Sequence, residues 1–134
     1  MLSNPIELAT MVARIANSDM MVEPTLLSNK TQKFAKLGIN KNHLNAIGIT
    51  HGGYLSALID SGAGTAAHRA AGNAPCVTIS LDIKFIGSSK EGDEIIGHTR
   101  ILKRTKTLVF LFCELSCDKK IITSASGIWK ILKK

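Results

Sequence analysis

Apolar and polar positions change period along the chain, and each change marks an element. Over residues 4 to 17, Asn4 and Pro5 supply a cap and a first-turn proline. Ile6, Leu8, Met11, Val12 and Ile15 then form an apolar stripe at helical spacing. The pattern predicts an amphipathic helix there and an irregular stretch over 18 to 30. Phe34, Leu37 and Ile39 predict a first strand that ends at Asn40. From Tyr54 to Ala71 the chain is rich in Ala and apolar nearly all round, which predicts a helix buried on most sides. Gly62 and Gly64 weaken such a helix intrinsically, so close packing is their expected reason.

Beyond this helix the period falls to two. Val77, Ile79, Leu81, Ile83 and Phe85 alternate with Thr78, Ser80, Asp82 and Lys84, a strand with one buried and one polar face. Gly87 to Asp93 reads as a loop. Glu94 to Leu102, Thr107 to Cys117 and Ile121 to Ile131 read as further strands, joined by tight turns at 103–106 and 118–120. Helix, strand, long helix and four consecutive strands predict an antiparallel meander in a single α+β domain over 1–134, with the sheet wrapped around the long helix.

Composition narrows the partners. A fraction of 45% hydrophobic residues in 134 is enough for one packed core, and with only 4% aromatics that core rests on Ile, Leu, Val and Ala. The net charge of +7 attracts anions: nucleic acid, an anionic membrane or a phosphorylated ligand. The basic residues gather at Lys30–Lys41, Lys84–Lys90, Arg100–Lys106 and the C-terminal tail, and a solvated surface accounts equally well for any one cluster. The single tryptophan, Trp129, falls on the last strand, and aromatics do not interleave with the lysines, which counts against nucleic acid. No apolar run reaches the ~20 residues of a membrane span, and the N-terminus lacks a signal pattern, so a cytoplasmic protein without membrane attachment is expected.

Three cysteines, Cys76, Cys113 and Cys117, leave one unpaired in any disulfide scheme. On a strand, Cys113 and Cys117 share a face ~13 Å apart, too far for a bridge or for one zinc. His43, His51, His68 and His98 show no ligand spacing, and His68 reads as structural or surface. No metal and no separate cofactor are expected. Cys76 has no base nearby in sequence, and there is no nucleophile elbow or phosphate loop.

The candidate chemistry lies between Asn45 and Asp60. Asp60 is the one acid between Gly48 and Ala67, where a carboxylate without partners is costly to bury. It reads either as a general base or nucleophile beside substrate, or as a residue on a narrow exposed face. His51-Gly52-Gly53 opens the helix, and glycine lets a ligand reach the free N–H groups of that end, a suitable place for an oxyanion. Gly52 and Asp60 stand eight positions apart, ~12 Å along the axis. If both are catalytic, one subunit must supply Gly52 and another Asp60.

The string Asn45-Ala-Ile-Gly-Ile-Thr-His51-Gly-Gly53, followed by Asp60, resembles the PaaI-type hotdog-fold acyl-CoA thioesterases, and most closely the subgroup of thioesterase superfamily member 2. The strand Ala74 to Phe85 and Lys106-Thr-Leu108 continue the resemblance, which covers about residues 30 to 132. It implies hydrolysis of an acyl-CoA to free acid and CoA, with CoA as substrate and product rather than cofactor. Asn45 and the Gly52 backbone would polarise the thioester carbonyl, and His51 would fix the loop. Asp60 of the facing subunit would activate water or attack directly. Thr78 stands where the subgroup has a serine that positions the water. Gly53, Ser80 and Phe85 fall on the substrate side of this scheme. The loops holding Gly87, Ser88 and Lys90, and Lys103, Arg104, Thr105 and Lys106, would meet the CoA phosphates at the nucleotide end. A homotetramer built as a dimer of dimers is implied. The competing reading is a non-catalytic acyl-CoA-binding or regulatory hotdog protein, which would need no Asp60. A hotdog dehydratase lacks its Asp/His or His/Glu pairs here.

Overall fold

The long helix forms where the Ala-rich segment lies because both ends are closed by local hydrogen bonds. It spans Gly52–Ala70 and is called α1. His51 caps its start: the backbone there is extended and the ring accepts the Gly53 N–H. At its end Ala71 N–H donates to the Ala67 carbonyl at 2.9 Å, and Gly72 and Asn73 turn the chain away with φ of 67° and 65°. His68 Nδ1 bonds the Ala74 carbonyl oxygen at 2.8 Å, so this histidine is a structural tie between helix and turn.

The computed structural model describes residues 20–23 and 31–133. The amphipathic helix expected over 4 to 17 lies outside them. The strands are β1 (Met20–Glu23), β2 (Thr31–Gly38), β3 (Cys76–Phe85), β4 (Glu94–Arg104), β5 (Leu108–Cys117) and β6 (Lys120–Ile131). They form one six-stranded sheet in the order β1-β2-β4-β5-β6-β3, antiparallel at every pairing. One long helix lies against it, the expected α+β arrangement with a sheet around a helix.

Two expectations are corrected. The stretch 18 to 30 contains β1, which pairs with β2. The four last strands are also not a simple meander: β4, β5 and β6 follow in order, but β3 crosses to the far edge beside β6. The loop between β3 and β4 is long enough for this. Its eight residues, 86 to 93, reach ~26 Å when extended, against ~14 Å for three strand spacings. Its course is pinned at both ends: Ile86 and Gly87 donate to the Ile122 carbonyl, and Ile39 N–H to the Asp93 carbonyl.

Alternation on β5 decides which face is core. Val109, Leu111, Cys113, Leu115 and Cys117 are buried, while the residues between them are half-buried. They meet Leu55, Leu58, Ile59, Ala63, Ala66 and Ala67 of α1, together with Ala125 and Trp129 of β6. Full burial of a side chain such as Leu58 or Ile59 contributes about 2 kcal/mol. Cys113 and Cys117 are free and buried on one face, and burial raises the Cys113 thiol far above its usual range. No described helix is long and apolar enough to cross a membrane.

A methyl on Gly64 would lie 3.6 Å from Nε1 of the fully buried Trp129, an ordinary van der Waals contact, so the space there does not itself require the glycine. Gly127 is tighter: a Cβ there would meet the Trp129 ring at 2.5 Å and the Ser80 carbonyl oxygen at 2.9 Å. The indole is fully buried, and the carbonyl belongs to the β3 backbone. Gly127→Ala is therefore expected to lower stability by about 2 kcal/mol or more. Urea unfolding measures this, and an unchanged midpoint would refute the packing argument.

Candidate active site

The loop before α1 is organised by one side chain. Asn45 Oδ1 accepts the N–H groups of Ile47 at 3.0 Å and Ile49 at 3.3 Å, and Asn45 N–H donates to the Ile49 carbonyl at 2.8 Å. Gly48 has φ of 84°, a conformation that glycine reaches without cost, and this turns the loop back. With Oδ1 spent on the loop, the Nδ2 amide of Asn45 is left as the donor end of the side chain.

His51 and the first turn divide the N–H groups further. His51 Nδ1 accepts the Gly53 N–H at 2.8 Å, which places the ring's proton on Nε2. Tyr54 and Leu55 N–H both donate to the His51 carbonyl. Gly52 N–H has no acceptor among the described residues. It points out of the positive end of a 19-residue helix whose first turn holds no acid. Gly53 cannot serve in the same way, because its N–H is used by the cap. A Cβ at Gly53 would lie 2.9 Å from His51 Nδ1, so its smallness serves the histidine.

Asp60 is exposed in the single chain, on the same side of α1 as Gly53 seven positions earlier. It is not solitary. Thr78 Oγ1 on β3 donates to Asp60 Oδ1 at 2.6 Å. The two residues read from the sequence as base and water-positioner are thus joined, and Asp60 Oδ2 stays open. Phe85, at the other end of β3, lies against Gly52: a Cβ on Gly52 would touch the ring at 3.4 Å. Helix and strand run in opposite directions, with Phe85 by the helix N-terminus and Thr78 by Asp60.

Several expected residues are not gathered there. A β-bulge at Ile79 makes Thr78 pair with Trp129 and Ser80 with the next residue, Ile128. Successive partners face opposite ways, so Ser80 lies on the outer face, away from α1. Thr105 Oγ1 is committed to its own turn, donating to the Leu108 carbonyl and accepting the Leu108 N–H. The two basic loops do not meet within a chain. Gly87, Ser88 and Lys90 precede β4, while Lys103 and Arg104 end it and Lys106 follows, so most of the length of an 11-residue strand separates them. Lys90, Lys103, Arg104 and Lys106 are exposed, and no described acid pairs with them. Lys84 is different, with its Nζ 2.7 Å from Asp82 Oδ1.

The sequence reading passed over two supports of the loop. His43 stacks on buried Tyr54 with centroids 4.2 Å apart and planes 5° from parallel, and its carbonyl accepts the His51 N–H at 2.8 Å. Thr50 and Ser89, both buried, are joined by hydrogen bonds. Each pair joins residues far enough apart in sequence that no local pattern signals it.

A carboxylate with a hydroxyl partner, a bare helix N–H and an amide donor are parts from which a hydrolytic site can be built, and the fold that carries them, a sheet around one long described helix, is the hotdog fold. The thioesterase superfamily profile matches residues 47–122, more than half of the chain. A Pseudomonas aeruginosa protein named as an esterase is 35% identical over 101 residues, 75% of each chain. Mouse acyl-coenzyme A thioesterase 13 is 30% identical over 118 residues, covering 87% of this chain and 84% of the relative. The crystal structure of zebrafish thioesterase superfamily member 2 shares the fold at a TM-score of 0.73 and 20% identity, covering 97% of this chain and 99% of that one. The chain belongs to the thioesterase superfamily and is a thioester hydrolase.

His43 gives the loop a pH dependence. Burial lowers its pKa, and Nδ1 accepts the Asn40 N–H at 3.1 Å, so the folded protein holds the ring neutral. The unfolded chain binds a proton at the ordinary imidazole value, about 6.5. Between the two pKa values the unfolded state carries more protons, so this contribution is complete above about 6.5 and is lost as pH falls below it. Urea midpoints at pH 8 and pH 5.5 should therefore diverge more in wild type than in His43→Phe, which keeps a ring but cannot titrate. Identical pH dependence in the two proteins would contradict the assignment.

Proposed function

We propose that the protein hydrolyses acyl-CoA thioesters at a site shared between two subunits, Asn45 and Gly52 coming from one and Asp60 and Thr78 from the other. The observation that carries this reading is the Thr78–Asp60 hydrogen bond of 2.6 Å, at the opposite end of β3 from the bare Gly52 N–H. Both halves are chemically prepared, but they stand ~12 Å apart along one helix.

β3 offers the means of joining them. It is an edge strand ten residues long with one side unpaired among the described residues. Val77, Ile79 and Phe85 along it and Ile86 just beyond it are 44%, 54%, 55% and 62% exposed. An edge of this kind is a template for a further strand. Antiparallel pairing of two β3 strands about a two-fold axis sets the Thr78 end of one beside the Phe85 end of the other. Asp60 of the partner then approaches Gly52 and Asn45. The same operation carries the partner's 103–106 turn toward the 87–90 loop, so the basic groups separated within a chain converge around one CoA. Dimers of this kind associating in pairs give the tetramer that the family resemblance implies.

In the reaction, Asp60 Oδ2 takes a proton from water, and the water oxygen adds to the thioester carbonyl carbon. Thr78 holds Oδ1 and thereby directs Oδ2 at the water. The new oxyanion receives hydrogen bonds from Gly52 N–H and Asn45 Nδ2–H. Collapse of the adduct breaks the C–S bond, releases the acid, and returns the proton from Asp60 to the CoA sulfur. Phe85 lines the approach to Gly52, and the exposed lysines receive the CoA phosphates.

Asp60→Asn should lower kcat by ~10² or more with a smaller change in KM, and Thr78→Val by ~10-fold. Hydrolysis of a panel of acyl-CoAs of different chain length measures both, and unchanged rates would remove Asp60 from the mechanism. Mixing Asp60→Asn with Asn45→Ala and letting subunits exchange tests the shared site. Half of the dimers are then mixed, each with one intact site, so about a quarter of wild-type activity should return. No recovery in demonstrably mixed dimers would place the whole site in one chain.

A further inference from the structure

Thr50 and Ser89 are 5% and 2% exposed, and they connect the two loops that matter most to the proposed reaction. Thr50 N–H donates to the Ser89 carbonyl at 2.8 Å. Thr50 Oγ1 lies 3.2 Å from the same carbonyl oxygen and 2.6 Å from Ser89 Oγ. One arrangement satisfies both hydroxyls: Thr50 donates to the Ser89 carbonyl, and Ser89 donates to Thr50 Oγ1. Both protons are then used, and neither hydroxyl remains for a ligand.

The position of the pair gives it a consequence. Thr50 stands between Ile49, which donates to Asn45 Oδ1, and His51, which caps α1 through the Gly53 N–H and directly precedes Gly52. A bridge from Leu44 to Thr50 closes the base of the Asn45 loop. Ser89 stands between Ser88 and Lys90, both exposed on the loop that faces the CoA phosphates in the proposed complex. That loop is itself braced, since Asp93 Oδ2 accepts the Lys90 N–H at 2.9 Å. An anion seated on Ser88 and Lys90 would pull on Ser89, and the buried hydrogen bonds are the path by which that displacement would reach Thr50 and the oxyanion donors.

We infer that Thr50 and Ser89 are positioning residues that couple occupancy of the nucleotide loop to the geometry of the Asn45–Gly52 oxyanion donors. Binding energy from the phosphate end of CoA is thereby spent on alignment at the thioester. The inference rests on the acyl-CoA hydrolase reading. It adds that the nucleotide raises kcat as well as affinity, and that two buried hydroxyls are the connection.

The test compares an acyl-CoA with the N-acetylcysteamine thioester of the same acid, which lacks the nucleotide. Wild type should show a kcat for the CoA thioester about tenfold or more above that for the short one. Thr50→Val, which keeps the shape and removes the hydroxyl, and Ser89→Ala should bring the two kcat values within about twofold, with the short substrate's rate little altered. Thr50→Ser should restore the wild-type ratio. A structural defect lowers both rates together and leaves their ratio unmoved, so a preserved wild-type ratio in folded Thr50→Val or Ser89→Ala overturns the inference. The two substitutions approach the pair from different loops, so misfolding of one leaves the other to decide. Absence of turnover of either thioester by wild type refutes the hydrolase reading itself, a separate outcome.

Discussion

A helix is a rod of fixed rise, and at this site the rod is too long for its own chemistry. α1 is held to the sheet by Leu55, Leu58, Ile59, Ala63, Ala66 and Ala67, all essentially inaccessible, so it can neither bend nor slide. The open N–H at Gly52 and the carboxylate at Asp60 therefore keep a separation of ~12 Å that no rotamer closes. Under the proposed shared site a second copy meets that constraint, and other features accord with the proposal. β3 keeps an unpaired edge and exposed Val77, Ile79, Phe85 and Ile86, which would be a liability in a lone chain. The crossover that sends β3 to the far side of β6 is what puts this edge, and with it Thr78 and Phe85, at the boundary.

The loop before α1 shows how a short segment reserves donors for a substrate. Asn45 has an acceptor and a donor end, and the acceptor is used on Ile47 and Ile49. The helix start has several open N–H groups, and the His51 ring and carbonyl take those of Gly53, Tyr54 and Leu55. What remains is one amide and one backbone N–H, both donors, at the positive end of the helix. Such a site favours an oxygen that gains negative charge over a neutral carbonyl, which is the preference a hydrolytic transition state requires. His43 contributes from beneath, because its stacked neutral ring sets the carbonyl that receives the His51 N–H.

Much of this was legible in the chain. Period-two alternation located β3 to β6 within two residues at each end, since one face of each meets a core and the other does not. The Ala-rich run located α1, because only a helix buried on most sides tolerates that composition. Asp60 stood out as the one acid in an apolar run, the structure sets it on an exposed face of α1, and Thr78, pointed to by the family resemblance alone, is bonded to it. The misses are those that local pattern cannot encode. Strand order depends on where an eight-residue loop goes, and Ile86, Gly87, Ile39 and Asp93 settle that through bonds across the sheet. Counting in twos failed at the bulge near Ile79, which turns Thr78 toward α1 and leaves Val77 and Ile79, expected on the buried face, 44% and 54% exposed. The hydroxyls of Thr50 and Ser89 lie 39 residues apart, and each alone is an ordinary loop residue.

Charge shows why the two basic clusters had to be separate in one chain. Lys90, Lys103, Arg104 and Lys106 gathered on one loop would repel one another and destabilise that loop in the free protein. Placed at opposite ends of β4, Lys90 and the Lys103–Lys106 group stay solvated and apart, and no described acid forms an ion pair with their side chains. Under the proposed β3 pairing they approach only across the interface, where a nucleotide brings the compensating negative charge. Phosphate binding and dimer formation then favour each other, since each reduces the electrostatic cost of the other. The coupling between Ser89 and Thr50 extends the same logic into the site, from the residues that meet the nucleotide to the donors that meet the carbonyl.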